Sequence, residues 1–306
     1  MIATISDLSS LQLSSILGGS GLYLKTGPFC YRIRSSAAAV AEGIHVLYGN
    51  NKFYSNLEFV DFDIRLDSPN WLRRWFRPKL DFYFDHQTPF KPLPLSQAYA
   101  FLEWGMNWCI SIHMNQYLKL HAAVLERNGK ALVMPGAPGA GKSTLCAALV
   151  LRGWRLLSDE HALISLENSD LIPVCRPISL KNESIQIIKS FDPSVVLGPM
   201  SADTHKGTVA HMKPDTHSVE LDSQTVKPGW VIFPKYTAEA SLRLTERIKE
   251  TAFLKTADQS FNYSLLGAQG FDVMSRLIEA SDCYNLSYSN LEEAVSTLNQ
   301  LSEVRG

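Results

Sequence analysis

The segment Gly136-Ala137-Pro138-Gly139-Ala140-Gly141-Lys142-Ser143 carries the full spacing G-x-x-x-x-G-K-[ST]. These residue types at this spacing cradle the phosphates of a nucleotide. The glycines let the backbone curl until successive N–H groups point at phosphate oxygens. A helix opening at Gly141–Lys142 adds its positive end. Lys142 is expected to reach the β- and γ-phosphates of ATP. Ser143 is expected to place its hydroxyl on Mg²⁺, and Thr144 extends the cradle. A second chemical signal is the acid pair Asp159-Glu160, whose first member lies 17 residues after Lys142. A Mg-nucleotide site needs a carboxylate near the metal, and transfer to a hydroxyl needs a base near the acceptor. Adjacent acids at a strand end project differently, so one can face the metal and the other the acceptor. The plain alternative for Asp159 is a turn acid or a helix N-cap.

Other residues carry weaker signals. His121 lies on an apolar strand, where a histidine is ordinarily a core residue satisfied by a carbonyl. Lys181 and Asn182 have the types to contact phosphate or substrate. His211 and Lys213, beside Pro214, read as a basic loop after a strand, and Arg176 is a further candidate cation. Trp71, Arg73, Arg74, Trp75 and Arg77 form a basic, aromatic cluster. The expected account of that cluster is tryptophans packed on a neighbouring domain with the arginines in solvent.

These residues must be positioned by elements the pattern suggests. Gly21–Leu24 and Phe29–Arg34 read as strands around a Gly-Pro turn, Ser35–Leu47 as a helix, and Leu57–Leu66 and Leu80–Phe84 as strands. Leu95–Tyr117 reads as a helix joining two domains. Leu118–Glu126 and Lys130–Met134 flank Asn128-Gly129, the strongest short hairpin signal. The second of these strands runs into Gly136. A helix over Lys142–Arg152 closed by Gly153, a strand Arg155–Ser158 and a hairpin Ala162–Leu166 with Leu171–Val174 follow. Two helices end the chain: Tyr263–Ala280, and one starting at Ser289-Asn-Leu-Glu292 with capping-box spacing. The expected fold is α/β, with a small α/β domain over residues 1–117 and a P-loop kinase domain over 118–306. All phosphate-contacting motifs fall in the second. The first is expected to choose the acceptor or build a homo-oligomer.

Composition bounds the function. The 306 residues are 45% hydrophobic and 19% charged, with a net charge of −1. This suits a packed core and gives nucleic acid or an anionic membrane no general attraction. No apolar run reaches the ~18 residues of a membrane span, and the amino terminus lacks a signal-peptide pattern. The 5 cysteines are scattered with no C-x-x-C pair, so reduced thiols in a cytoplasmic protein are expected rather than zinc.

The order strand–histidine–hairpin–P-loop–helix–acid pair resembles HPr kinase/phosphorylase. It resembles more closely the HPr-kinase-related proteins found beside exopolysaccharide and exosortase loci. Leu120-His-Ala-Ala-Val-Leu125 matches the histidine-bearing strand, and Arg152–Glu160 the stretch ending in the acid pair. Arg176–Ser184, Gly207–Pro214 and Phe261–Gly267 are similar to further blocks of the related group. The resemblance implies a fold of the HPr-kinase/PEP-carboxykinase type and ATP-dependent phosphorylation of a serine hydroxyl. It places Asp159 by the acceptor, Glu160 nearer the metal and His121 by the phosphates. The related group often sits near a small PqqD-like peptide-binding protein, which implies a peptide or protein acceptor. Two departures stand out: HPr kinases carry two aspartates where this chain has Asp159-Glu160, and the glycine-containing loop that supports phosphorolysis has no match. Neither phosphorolysis nor HPr as substrate is therefore carried over. A small-metabolite or sugar kinase, a P-loop ATPase switch and a regulatory nucleotide-binding module remain alternatives. The long segments Arg176–Ser184 and Lys206–His217 read as loops, which would favour an extended acceptor.

Overall fold

The structure is a computed structural model that describes residues 3–68, 78–137 and 139–304. The basic, aromatic cluster from Trp71 to Arg77, and Pro138 of the phosphate loop, lie outside the described residues.

The amino-terminal elements are α1 (Ser10–Gly18), β1 (Leu22–Thr26), β2 (Phe29–Ser35), α2 (Ala38–Leu47), β3 (Phe62–Asp67), β4 (Lys79–Phe84), β5 (Leu93–Pro94) and α3 (Ala98–His113). Their five strands form one sheet in the order β1-β2-β3-β4-β5. Alternation in β2 and β3 points Phe29, Tyr31, Ile33, Phe62, Ile64 and Leu66 into a core closed by α2 and α3. That core also takes in Leu163 and Val174 from later in the chain. The expected strand over Leu57–Leu66 is shorter at its start: pairing begins only at Phe62. The expected helix Leu95–Tyr117 is also shorter, because Lys119 caps its carboxyl end. The buried ammonium donates to the Ile110 carbonyl at 3.4 Å and the Ser111 carbonyl at 2.6 Å, so the last-turn acceptors are satisfied without further helix.

Next come β6 (Tyr117–Arg127), β7 (Lys130–Pro135), α4 (Lys142–Leu151), β8 (Arg155–Ser158), β9 (His161–Ser165) and β10 (Leu171–Ile172). The chain continues with β11 (Ile178–Lys181), α5 (Glu183–Phe191), β12 (Ser201–Thr204), β13 (Gly207–Met212), α6 (Thr216–Glu220), β14 (Lys227–Tyr236) and β15 (Arg243–Glu246). It ends with α7 (Lys249–Ala257), α8 (Tyr263–Leu266), α9 (Ala268–Glu279), β16 (Asp282–Tyr288) and α10 (Leu291–Val304). A large sheet runs β10-β9-β6-β7-β14-β16-β15, with β8 also on β6. Apolar cores lie on both of its faces. The β6–β7 turn has positive φ at both Asn128 (54°) and Gly129 (76°), as the Asn-Gly signal requires. β7, β14 and β16 are mutually parallel neighbours, so the chain leaves β7 for the phosphate loop at their common carboxyl end, where open α/β sheets bind ligands.

Three local expectations change. Arg176–Ser184 and Lys206–His217 are not long loops: β11 and β13 pair antiparallel from Ile178↔Met212 to Lys181↔Val209, in a three-stranded sheet with β12. Their polar residues disguise strands whose Leu180, Val209 and Met212 are buried. The tail helix over Tyr263–Ala280 is broken at Gly267, which sits at φ +56°. At α10 the cap is Asn290, whose Oδ1 accepts from the Glu293 N–H at 3.1 Å, while the Ser289 hydroxyl donates to the Ala240 carbonyl. Among the described residues, no helix is long and apolar enough to cross a membrane.

Candidate functional site

Residues 136–141 link β7 to α4. Gly139 and Gly141 have φ of +86° and +89°, a region that L side chains enter only with strain. Gly141 is doubly constrained, since a Cβ there would lie 2.9 Å from the Tyr288 hydroxyl. Gly141 opens α4 without a side-chain cap, so the first N–H groups of the helix remain donors for an anion. Lys142 is buried, and its ammonium folds back onto the carbonyls of Gly136 and Ala137. Burial lowers its pKa from the ordinary lysine value, partly offset by Asp159 and Glu160.

The acid pair occupies a break in a strand. β9 pairs with β6 from Tyr117↔Ser165 to His121↔His161, and β8 continues along the same edge from Val124↔Ser158 to Glu126↔Arg155. Asp159 and Glu160 are the interruption, with a register shift opposite Val124/Leu125. Such a bulge turns successive side chains away from strict alternation. Asp159 is 6% exposed and its Oδ2 accepts from the Ser179 N–H at 3.0 Å. Burial, reinforced by Glu160, pushes its carboxyl up to about 6, against the opposing hydrogen bonds of Ser179 and the Ser143 hydroxyl. Its Oδ1 and the Ser179 hydroxyl have no partner among the described residues, and both residues line a small cavity of about 20 Å³, the size of one water. Glu160 behaves in the opposite way. Burial raises its pKa, but His161, Lys181, Lys206 and His121 together outweigh that and hold the carboxyl below its usual range.

Glu160 is also tied to the amino-terminal region. Asn107 on α3 donates from Nδ2 to Glu160 Oε2 at 2.8 Å, and its Oδ1 accepts from Arg176 at 2.6 Å. Arg176 forms a buried ion pair with Glu103 at 2.5 Å. Glu103 also accepts from Tyr48 at 2.9 Å and Tyr99 at 2.6 Å. Burial alone would raise the Glu103 pKa, but Arg176 and His211 hold it low.

A cavity of about 360 Å³ collects Gly139, Gly141, Lys142, Ser143, Thr144, His121, Asp159 and Glu160. Ser179, Lys181 and Lys206 join them there. Gly136, Ala137 and Ala140 shape the loop without lining that cavity. His121 faces His161 across the β6–β9 pair. Burial first, and then the Lys142 charge, depress the His121 pKa to about 4, so its ring is neutral near pH 7. Lys181 lies 4.0 Å from Glu160. The structure does not bring the remaining candidates to the cavity beside Gly139–Thr144. Arg176 and His211 are buried in the Glu103 network, His211 packing edge-on against Tyr99 at 5.4 Å. The Lys213 ammonium lies against Gly49. Asn182 accepts from the Thr208 N–H at 3.0 Å and lines an adjoining cleft instead. Lys206, Asn107 and Ser179 were not singled out by their types or spacing. Their place in the site follows from the pairing of β11 with β13 and the docking of α3, which residue type and spacing do not mark.

Comparison with known proteins is narrow. Residues 104–171 match the family described as SynChlorMet cassette protein ScmC. That stretch runs from α3 through the phosphate loop and acid pair to β10. No curated protein matches the chain. Among solved structures it is similar to the HPr(Ser) kinase/phosphatase from Coxiella burnetii, at 14% identity over 61% of this chain and 99% of that one. The TM-score is 0.27, too low to carry an argument about this chain. Neither match bears on exopolysaccharide or exosortase loci.

Proposed function

We propose that the protein is an ATP-dependent phosphotransferase that phosphorylates a serine or threonine hydroxyl on a protein or peptide. The observation that carries this reading is Asp159: a buried carboxylate, pushed up to about 6, in the same cavity as Lys142 and Ser143. A base with that pKa is suited to taking a hydroxyl proton near neutral pH. A site that only holds a nucleotide has no need of one. In this reading Asp159 accepts the proton of the acceptor hydroxyl as the new O–P bond forms and the bond to the β-phosphate oxygen breaks. Lys142 leaves the loop carbonyls for the β- and γ-phosphates, and the N–H groups of Gly139 and of residues 141–144 hold the charge of the departing diphosphate. Neutral His121 serves as a hydrogen-bonding group beside the phosphates. The donor set fits Mg²⁺, a hard cation that takes few protein ligands and keeps phosphate oxygens and water. Ser143 and the ionised Glu160 would hold it, and it would neutralise charge on the transferring group. The order of elements that resembles HPr kinases supports the same reading. A division at residues 117/118, with the phosphate machinery wholly in the second part, belongs to this proposal.

The nucleoside is assigned to a cleft of about 1,020 Å³ that shares Gly139, Gly141, Thr144, Lys181 and Ser184 with the phosphate cavity. Tyr236 and Tyr288, whose rings meet edge-on at 5.9 Å, line it. The test is incubation with γ-labelled ATP, a panel of serine and threonine peptides, the proteins encoded beside it, and free sugars and polyols. Label on a peptide or protein hydroxyl is expected. Transfer to a free sugar and to no protein, or release of phosphate to water alone, would overturn the reading.

A further inference from the structure

Three cavities adjoin in a line. The nucleoside cleft meets the phosphate cavity through the loop residues, Lys181 and Ser184. The phosphate cavity meets a third pocket, of about 380 Å³, through Glu160 and Lys206. The first and third share no lining residue. Phosphoryl transfer puts attacking and leaving oxygens roughly in line on either side of phosphorus. A pocket that shares Glu160 and Lys206 with the phosphate cavity and no residue with the nucleoside cleft is therefore placed on the acceptor's side.

Its lining is specific. Phe90, Leu93, Phe101 and Trp104 make it apolar and aromatic, and all four come from the amino-terminal region. Lys91 adds a cationic group and His205 a ring whose pKa burial, Lys206 and Lys181 lower, so that it is neutral near pH 7; both residues are exposed. The β12–β13 turn is held against Trp104: the His205 ring packs edge-on at 4.8 Å, and the Lys206 ammonium lies 5.4 Å from the Trp104 ring centroid. This is a cation–π contact that keeps Lys206 between the two cavities. The volume is at the small end of the ~300–1,000 Å³ of ligand clefts, which suits one large side chain rather than a second nucleotide.

We infer that this pocket reads the acceptor by taking an aromatic side chain close in sequence to the accepting hydroxyl, with a neighbouring carboxylate meeting Lys91. The inference rests on the kinase reading for its direction. The pocket itself is a geometric fact that binding can test apart from catalysis. An apolar wall with a cationic edge selects against basic flanking residues by unpaired like charge, as well as for acidic ones.

The probes are the synthetic peptides acetyl-Glu-Phe-Ser-amide, acetyl-Glu-Ala-Ser-amide and acetyl-Lys-Phe-Ser-amide, added to the full chain. Binding is followed by isothermal titration calorimetry, which needs no reporter residue and so applies to every variant. Transfer from γ-labelled ATP is measured separately. The Glu-Phe peptide is expected to bind about tenfold more tightly than either other peptide, the size of a single buried side chain or a rim charge. Trp104→Ala should erase the Phe-over-Ala preference. Lys91→Glu, an exposed change that leaves the fold intact, should reverse the Glu-over-Lys preference. Equal binding of the Phe and Ala peptides, or a preference that survives Trp104→Ala, would overturn the inference. So would a Glu-over-Lys preference untouched by Lys91→Glu. Selective binding with no transfer to any peptide would uphold the pocket and sink the kinase reading instead. Transfer to both peptides at one rate with equal binding would do the reverse.

Discussion

The phosphate loop and the buried polar network around Glu103 flank the same acid pair, and they are built on opposite principles. The loop is a contiguous run that opens α4 without a side-chain cap and parks a lysine on its own carbonyls, although its Ala140 N–H donates to the Ala137 carbonyl at 3.3 Å. The network draws Tyr48, Tyr99, Glu103, Asn107 and Arg176 from distant parts of the chain, and its members satisfy one another. In the first, charge rests on backbone carbonyls; in the second, on partner side chains. Donors left without an intrahelical partner at a helix start are available to an anion. A saturated buried network signals rigid positioning, since removing any member strands the rest.

The sharpest way to break this comparison is to substitute one cation on each side. Lys142→Met should cut transfer by about 1,000-fold, the loss expected when a main donor to the developing charge is removed. It should not lower stability, because burial already penalises the lysine charge. Arg176→Met should do the converse in kind, costing about 3–5 kcal/mol of unfolding free energy by leaving Glu103 charged and buried. Urea titrations of both variants beside transfer assays check the pair. A stable Arg176→Met protein would mean the network is not what holds α3 against Arg176 and Glu160.

A smaller effect is expected where the two regions meet. Asn107→Leu takes one hydrogen bond from Glu160 and one from Arg176, a cost of about 1–3 kcal/mol. It should also shift the Mg²⁺ midpoint of transfer while leaving nucleotide affinity alone. A metal titration matching wild type would separate Asn107 from the site. Smallest are the loop glycines. Gly139→Ala should cost about 1–2 kcal/mol because of its positive φ. Gly136→Ala, whose added Cβ would meet Lys142 at an ordinary 3.6 Å, should stay within about 0.5 kcal/mol. Equal losses in the two variants would show that the loop is not held in the conformation described.

The same contrast explains what could be read in the sequence. The phosphate loop, the Asn128-Gly129 hairpin and the adjacent acids are local, so residue type and spacing alone mark them. Arg176 and His211 were candidates because they are cationic near the site by chain order. Their burial against Glu103 and Tyr99 is set by tertiary packing, which spacing does not encode. Lys206 reaches the acid pair only through the register of β13 on β11, and Asn107 only through the docking of α3. Those pairings were hidden because β11 and β13 carry Ser, Lys, Thr and His among their apolar residues, and a strand so mixed resembles a loop.

The account turns on Asp159 as a base distinct from the phosphate cradle, and nucleotide binding and phosphoryl transfer measured together on Asp159→Asn test it most directly. Nucleotide affinity should hold while transfer falls by about two to four orders of magnitude. In the wild type, transfer should rise about tenfold per pH unit up to about pH 6 and level off above, because the raised pKa means Asp159 must lose its proton there to act. The Asn variant should lack that step. Transfer by Asp159→Asn within tenfold of wild type, with the same pH step, would contradict the account.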